Sequence, residues 1–170
     1  GGARRLLEVL EAHPEEADVL GHAVAALRGL AASCSRTRAA LACLGGVELL
    51  LGVVRAHRAS TSIVEGCCAI LSRLACGGER VRVSMVSLGA VEVLLDALRE
   101  HPSAAGLQAW ACAAAQSLAC DSEIDRARVV SGGGLSLALG LLREHGGEPE
   151  AQAVACVALH GLAWDSDEDR

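Results

Sequence analysis

A repeat of 44 residues runs through the whole chain and limits its fold more than any other feature. Four kinds of residue recur at this step with no insertion. The recurring positions are His13, His57, His101 and His145; Gly1, Gly45, Gly89 and Gly133; Leu30, Leu74, Leu118 and Leu162, each followed by Ala; and Arg38, Arg82, Arg126 and Arg170. A period of this length indicates an all-α helical solenoid, because one unit cannot bury its apolar face alone and a stacked neighbour supplies the partner.

Each unit contains three predicted helices. The first is an apolar stretch that ends in Arg followed two residues later by His, as in Val91 to Glu100. The second is longer and apolar on more than one face, as in Ala104 to Cys120, which suits a layer packed between neighbouring units. The third is short, with acidic residues at its start and Gly after its end, as in Glu123 to Ser131. The predicted units are 1–44, 45–88, 89–132 and 133–170, and the short last unit suggests a segment of a longer protein.

The composition narrows the possible partners. The net charge is −6, whereas a nucleic-acid-binding protein needs a basic surface. No apolar run reaches the length of about 18 residues that a membrane helix requires. We therefore expect neither nucleic acid nor a membrane as a partner.

Eight cysteines occur in the chain, and most of them follow the repeat. Two repeat positions carry them: Cys68, Cys112 and Cys156, with Val24 in the first unit, and Cys76 and Cys120, with Ala32 in the first unit. A position that also accepts Val or Ala is a packing position, where a free cysteine behaves as a small apolar residue. The pattern predicts buried, reduced thiols, no metal and no cofactor, and an intracellular location in the cytoplasm or nucleus.

The His and Arg positions are interpreted as structural. Stacked units would hold successive His residues about 10 Å apart, too far to share a metal ion, so we expect helix capping and surface exposure. Arg38 and its repeats are expected to pair with, or cap, the neighbouring acidic turn. Cys156 and His160, or Cys34 and His22, are conceivable catalytic couples. The position of His160 varies between units, however, so the sequence predicts a protein that is not an enzyme, with a Cys/His metal protein or enzyme as the least favoured alternative.

The units resemble the armadillo repeat. In its first half the matching residues are Arg126, Val129, Val130, Gly133, Gly134, Leu135, Leu141 and Leu142, and in its second half Gln152, Ala155, Ala158, Leu159, Leu162 and Ala163. The resemblance covers the whole chain. HEAT repeats are the alternative, but the double glycine and the Leu-Ala ending favour armadillo.

The resemblance implies a right-handed superhelix whose long helices line a concave groove that holds a protein or an extended peptide segment. In the importin-α-like branch an Asn precedes the Leu-Ala pair of each unit. Here that position holds Gly29, Arg73, Ser117 and Gly161, so the chain lacks this amide ladder.

The resemblance also places candidate binding residues in the groove. They are His22, Arg73, Trp110, Ser117 and Val154. Small residues of the long helices, among them Ala25, Gly66 and Ala69, are predicted to complete a continuous groove floor. Arg73 and Trp110 are the large ones, of the types most enriched in binding hot spots, although Trp110 could equally fill a gap in the core.

The predicted function is a non-catalytic interaction or scaffold module that binds a partner segment in this groove. The alternative is an intramolecular arm of a larger multidomain protein, for example beside a kinase or ubiquitin-ligase domain. We also expect self-association through apolar faces exposed at the terminal units.

Overall fold

A computed structural model describes residues 1–120 and 122–163 of the chain. These residues form eleven α-helices. They are α1 (Gly2–Ala12), α2 (Ala17–Ser33), α3 (Ser35–Cys43), α4 (Gly46–Ala56), α5 (Thr61–Ala75), α6 (Glu79–Ser87), α7 (Ala90–Glu100), α8 (Ala105–Ala119), α9 (Glu123–Ser131), α10 (Gly134–Glu144) and α11 (Pro149–Ala163).

The order of helix types confirms the prediction from the repeat. Medium helices of 11 residues (α1, α4, α7 and α10) alternate with long helices of 15 or 17 residues (α2, α5, α8 and α11). Short helices of 9 residues (α3, α6 and α9) follow the first three long ones. The predicted short helix Glu123 to Ser131 coincides with α9. The all-α fold class is therefore confirmed.

The long helices pack side by side in chain order, so that α5 lies between α2 and α8, and α8 between α5 and α11. Each medium helix packs against the long helix that follows it. One continuous apolar core results, which extends from Leu7 in α1 to Leu162 in α11. It is built from Leu, Val, Ile, Ala and Cys, as the near absence of aromatic residues requires.

The glycine pair between units has a geometric cause. Gly45, Gly89 and Gly133 precede the medium helices with φ of 74°, 78° and 86°, in the left-handed region that favours glycine. The next residue, Gly46, is buried, and a Cβ on it would lie 2.7 Å from the carbonyl oxygen of Leu41. The first glycine allows the turn and the second allows the medium helix to approach the preceding short helix.

The His ladder joins neighbouring units. Each of these residues caps the C-terminus of a medium helix, as predicted. Beyond the first unit, each ring also donates a hydrogen bond from Nε2 to a carbonyl of the preceding unit. The bonds are His57 to Pro14 (2.6 Å), His101 to Arg58 (2.8 Å) and His145 to Pro102 (3.0 Å). The predicted surface exposure is wrong for His145, which is only 7% exposed, because stacking places the ring against the loop of the unit before it.

Arginines donate hydrogen bonds to carbonyl groups near the ends of the long helices. Arg38 donates to Ala31 at 2.7 Å and Arg82 donates to Ala75 at 3.1 Å, in the last turn of the preceding long helix. These arginines therefore cap the preceding long helix, whereas the predicted partner was the turn that follows it. Arg170 and the turn at residues 165–167 lie outside the described residues, as does Asp121.

The cysteines divide according to their place in the stack. Cys68 and Cys112 are buried, as predicted, and burial raises their pKa to about 12 and about 11 respectively. The prediction is wrong for Cys156, Cys76 and Cys120, which are exposed. Cys156 lies on the face of α11 on which no further described helix packs, and Cys76 and Cys120 follow the ends of α5 and α8.

The terminal faces are less apolar than the sequence suggests. Leu7, Leu10 and Leu162 are buried, because each turns inward against its own unit, whereas Val157 is 58% exposed.

Among the described residues no single helix is long and apolar enough to cross a membrane. The consecutive helices α3 and α4 meet that criterion only together, and they are bent by 79° at their junction.

Candidate functional site

The structure brings two of the predicted groove residues into contact. Arg73, near the end of α5, places its guanidinium carbon 5.3 Å from the ring centroid of Trp110 in α8. This distance is within the range of a cation–π interaction, which contributes about 0.5–1 kcal/mol at an exposed site. Two neighbouring long helices thus each contribute one side chain to this contact, which we call the Arg73–Trp110 pair.

Both side chains of this pair are half-buried. Trp110 packs against the apolar core, so part of its ring fills space between helices and part supports Arg73. The Nε atom of Arg73 is buried and has no hydrogen-bond partner within the described residues. An unsatisfied buried donor is costly, which favours a ligand oxygen that accepts a hydrogen bond from this guanidinium.

His22 lies in a second depression, of about 390 Å³, between α2 and α5. Ala25 and Gly66 line the same depression, as the resemblance implied. The Nδ1 atom of His22 lies 2.7 Å from the carbonyl oxygen of Asp18 and is held by it. The small residues beside His22 leave this part of the groove open.

The two remaining candidates lie on the last two long helices. Ser117 in α8 and Val154 in α11 are half-buried, and Val154 packs against the core. Ala69, which the resemblance placed on the groove floor, is fully buried, because α5 is enclosed by the long helices on both sides. The predicted continuous floor is therefore wrong at this position.

Sequence reasoning missed one pair of residues on the same layer. Arg28 of α2 lies 3.8 Å from a carboxylate oxygen of Glu65 in α5. Like Arg73 and Trp110, these two residues are 37 positions apart, which is one repeat less two helical turns. The recurrent 37-residue separation was the signal that could have predicted both contacts.

The geometry separates one of the two conceivable catalytic couples. Cys34 and His22 are separated by about 18 Å along α2, at about 1.5 Å per residue. Hydrogen bonds from the backbone and hydroxyl of Thr37 lower the pKa of the Cys34 thiol at the start of α3. Cys156 and His160 are both exposed on α11. Among the described residues, no group of three or more His, Cys, Asp or Glu side chains is arranged to hold a metal ion.

The structure is similar to several solved repeat proteins. An engineered protein known from its crystal structure superposes with a TM-score of 0.80 at 23% identity over 99% of this chain. A second engineered protein gives 0.81 at 20% identity over 98%. A designed armadillo repeat protein gives 0.74 at 21% identity over 92% of this chain and 63% of its own. This chain spans 65% of the length of both engineered proteins. No protein-family model matches the sequence, and no curated protein does.

The fold defines the class of protein as an α-solenoid of stacked three-helix units. Within that class the repeat is armadillo-like, since the designed armadillo repeat protein shares the fold over nearly the whole chain.

Proposed function

We propose that this chain is a non-catalytic protein-interaction module that binds an extended segment of a partner across its layer of long helices. The observation that carries the proposal is the Arg73–Trp110 pair, which joins two neighbouring units on that layer. Arg and Trp are enriched among residues whose truncation costs about 2 kcal/mol or more of binding energy.

The geometry supports an extended ligand. The open depression beside His22 and the Arg73–Trp110 pair lie on consecutive long helices of one layer. Neighbouring helices are about 8–10 Å apart, so four long helices span roughly 30 Å, enough for about nine extended residues. We place the module inside the cell, because the buried thiols of Cys68 and Cys112 pack the core as apolar groups.

A selection from random peptides displayed on phage tests the proposal without a known partner. An enriched peptide is then synthesised with a fluorophore, and its Kd is measured by fluorescence anisotropy. We expect Arg73→Glu and Trp110→Ala to raise the Kd by about tenfold or more, which corresponds to about 1.4 kcal/mol. The matched control is Arg4→Glu, the same charge change at an exposed residue of α1, away from the layer of long helices.

Two further measurements separate binding from folding. Far-UV circular dichroism and thermal unfolding show whether each variant keeps the helices. In a Trp164→Phe background the remaining tryptophan reports on position 110 alone, so bound peptide should change its fluorescence. Unchanged affinity in the folded Arg73→Glu variant, together with unchanged fluorescence, would refute the groove assignment.

A further inference from the structure

A cleft separate from the depression beside His22 lies at the edge of the layer of long helices. Its volume is about 870 Å³, and it is bounded by the short helices α3 and α6 and by the end of α5. Arg73 connects this cleft with the Arg73–Trp110 pair, because it lines the cleft and also stacks on Trp110. The cleft therefore adjoins the proposed groove at the boundary of two units.

The charge of the cleft is opposite to that of the chain. Arg38, Arg73 and Arg80 line it, and no Asp or Glu does, although the chain has a net charge of −6. Several arginines elsewhere are paired with carboxylates, as Arg58 is with Glu100. Within the described residues no carboxylate lies within ion-pair distance of these three cleft arginines.

The three guanidinium groups differ in how they are held. Arg38 is fixed by its hydrogen bond to Ala31 at 2.7 Å, which uses one of its five donors. Arg73 is fixed by Trp110 and has the buried, unbonded Nε. Arg80 is exposed at the start of α6. The cleft thus combines two oriented guanidinium groups with one exposed group, which suits oxygen anions in bidentate geometry.

The remaining lining shows that a single small anion would not fill the cleft. Val47, Leu74 and Val81 supply apolar lining, and Ser35 and Ser84 also line the cleft. The volume is near the upper end of the range of about 300–1,000 Å³ that is usual for ligand sites. A ligand that matches this lining carries an apolar side chain together with carboxylates.

We propose that this cleft binds an acidic segment of the partner protein, in which Asp or Glu side chains flank an apolar residue. The proposal rests on the proposed function and specifies its partner. The carboxylates pair with Arg73 and Arg80, and the apolar side chain packs against Val81 and Leu74. The carboxylates of the partner would accept hydrogen bonds from Arg73 and Arg80, for which the described residues provide no carboxylate.

The test uses the same random peptides and a matched pair of variants. Selected peptides should be enriched in Asp and Glu around an apolar residue, and their binding should weaken as salt is raised. Arg80→Glu should raise the Kd of such a peptide by about tenfold or more. Arg36→Glu should leave it unchanged, because Arg36 occupies the same repeat position one unit earlier, is exposed and does not line the cleft.

The outcomes distinguish this proposal from the function on which it rests. Neutral or basic peptides that bind through Trp110 would overturn the acidic-segment proposal and leave the interaction module standing. Failure to enrich any peptide would overturn both. Displacement of the peptide by inorganic phosphate alone, or tighter binding of a single-stranded oligonucleotide, would show a general anion site and would overturn recognition of an acidic protein segment.

Discussion

Two glycine-to-alanine changes in one helix should alter stability in opposite directions. Gly46 and Gly52 both lie in α4. A Cβ added to Gly52 meets nothing within 4 Å, whereas a Cβ on Gly46 would lie 2.7 Å from the oxygen and 3.3 Å from the carbon of the Leu41 carbonyl. The same chemical change therefore fills open space at one site and creates a collision with backbone at the other.

The expected magnitudes follow from these surroundings. Gly52→Ala should raise the free energy of unfolding by about 1 kcal/mol, the difference in helix propensity between the two residues. At Gly46 the backbone of Leu41 must move, and overpacking of this kind costs about 1–3 kcal/mol. Ala90 occupies the equivalent position of the third unit, so the junction can adapt to a methyl group. We therefore expect Gly46→Ala to lower the free energy of unfolding by about 1 kcal/mol, near the small end of that range.

Urea unfolding followed by far-UV circular dichroism measures both effects as shifts of the transition midpoint at constant slope. The comparison within one helix limits errors that arise when a repeat array unfolds in more than one step. Equal stabilisation by both substitutions would refute the argument that close approach to Leu41 requires the second glycine.

Three other outcomes are expected. In the native protein a maleimide should label Cys76 and spare the buried Cys68, as peptide mapping by mass spectrometry would show, and rapid labelling of Cys68 would contradict its burial. The pKa of His145 is raised, first by its hydrogen bond to the carbonyl of the preceding unit and then by a neighbouring carboxylate, so protonation stabilises the folded state. The extra stability is complete below the unfolded pKa of about 6.5 and is lost as pH rises through the folded pKa; His145→Gln should thus cost more unfolding free energy at acidic than at alkaline pH, and a cost independent of pH would argue against this linkage. A double-mutant cycle with Arg73→Ala and Trp110→Ala should give a coupling of about 0.5–1 kcal/mol in unfolding free energy, and zero coupling would mean that the contact contributes nothing.

The helices could be predicted closely because the repeat presents each boundary several times. The Arg-x-His ending marks the medium helices of the last three units, and Gly-Gly or Gly-Ala marks the starts of these helices. Both signals are local, since capping and a left-handed φ depend on residues adjacent in sequence. The coincidence of α9 with its predicted range shows how much information such signals carry.

The environment of His145 could not be predicted in the same way. Its acceptor is the carbonyl of Pro102, a backbone atom 43 residues earlier, and no side chain marks that carbonyl in the sequence. The prediction used the spacing between His residues, which bears on metal sharing and not on burial. The predicted burial of Cys156 was wrong for a related reason. Its exposure depends on the place of its unit in the stack and not on the residues adjacent to it in the sequence.

The sequence predicted individual residues of the candidate site but not the contacts between them. Arg73 and Trp110 were selected for their size and type, and their juxtaposition depends on the register between α5 and α8. That register is the 37-residue separation, which the Arg28–Glu65 pair repeats one unit earlier. The cleft at Arg80 was missed entirely, since it combines short helices from two units with the end of a long one.

Stacking and the proposed binding use different residues of each unit, which supports a binding site between α5 and α8. Stacking is secured by bonds from His side chains to backbone carbonyls of the preceding unit, such as His101 to Arg58 at 2.8 Å, and a carbonyl acceptor is available whatever residue carries it. The exposed positions of the long helices are therefore released from stacking and are free to differ between units. They do differ, since the position of Arg73 holds Gly, Ser and Gly in the other units. Arg73 and Trp110 thus mark the place where the otherwise regular surface acquires a distinctive shape and charge, and a partner that recognises one register of the solenoid should be bound there.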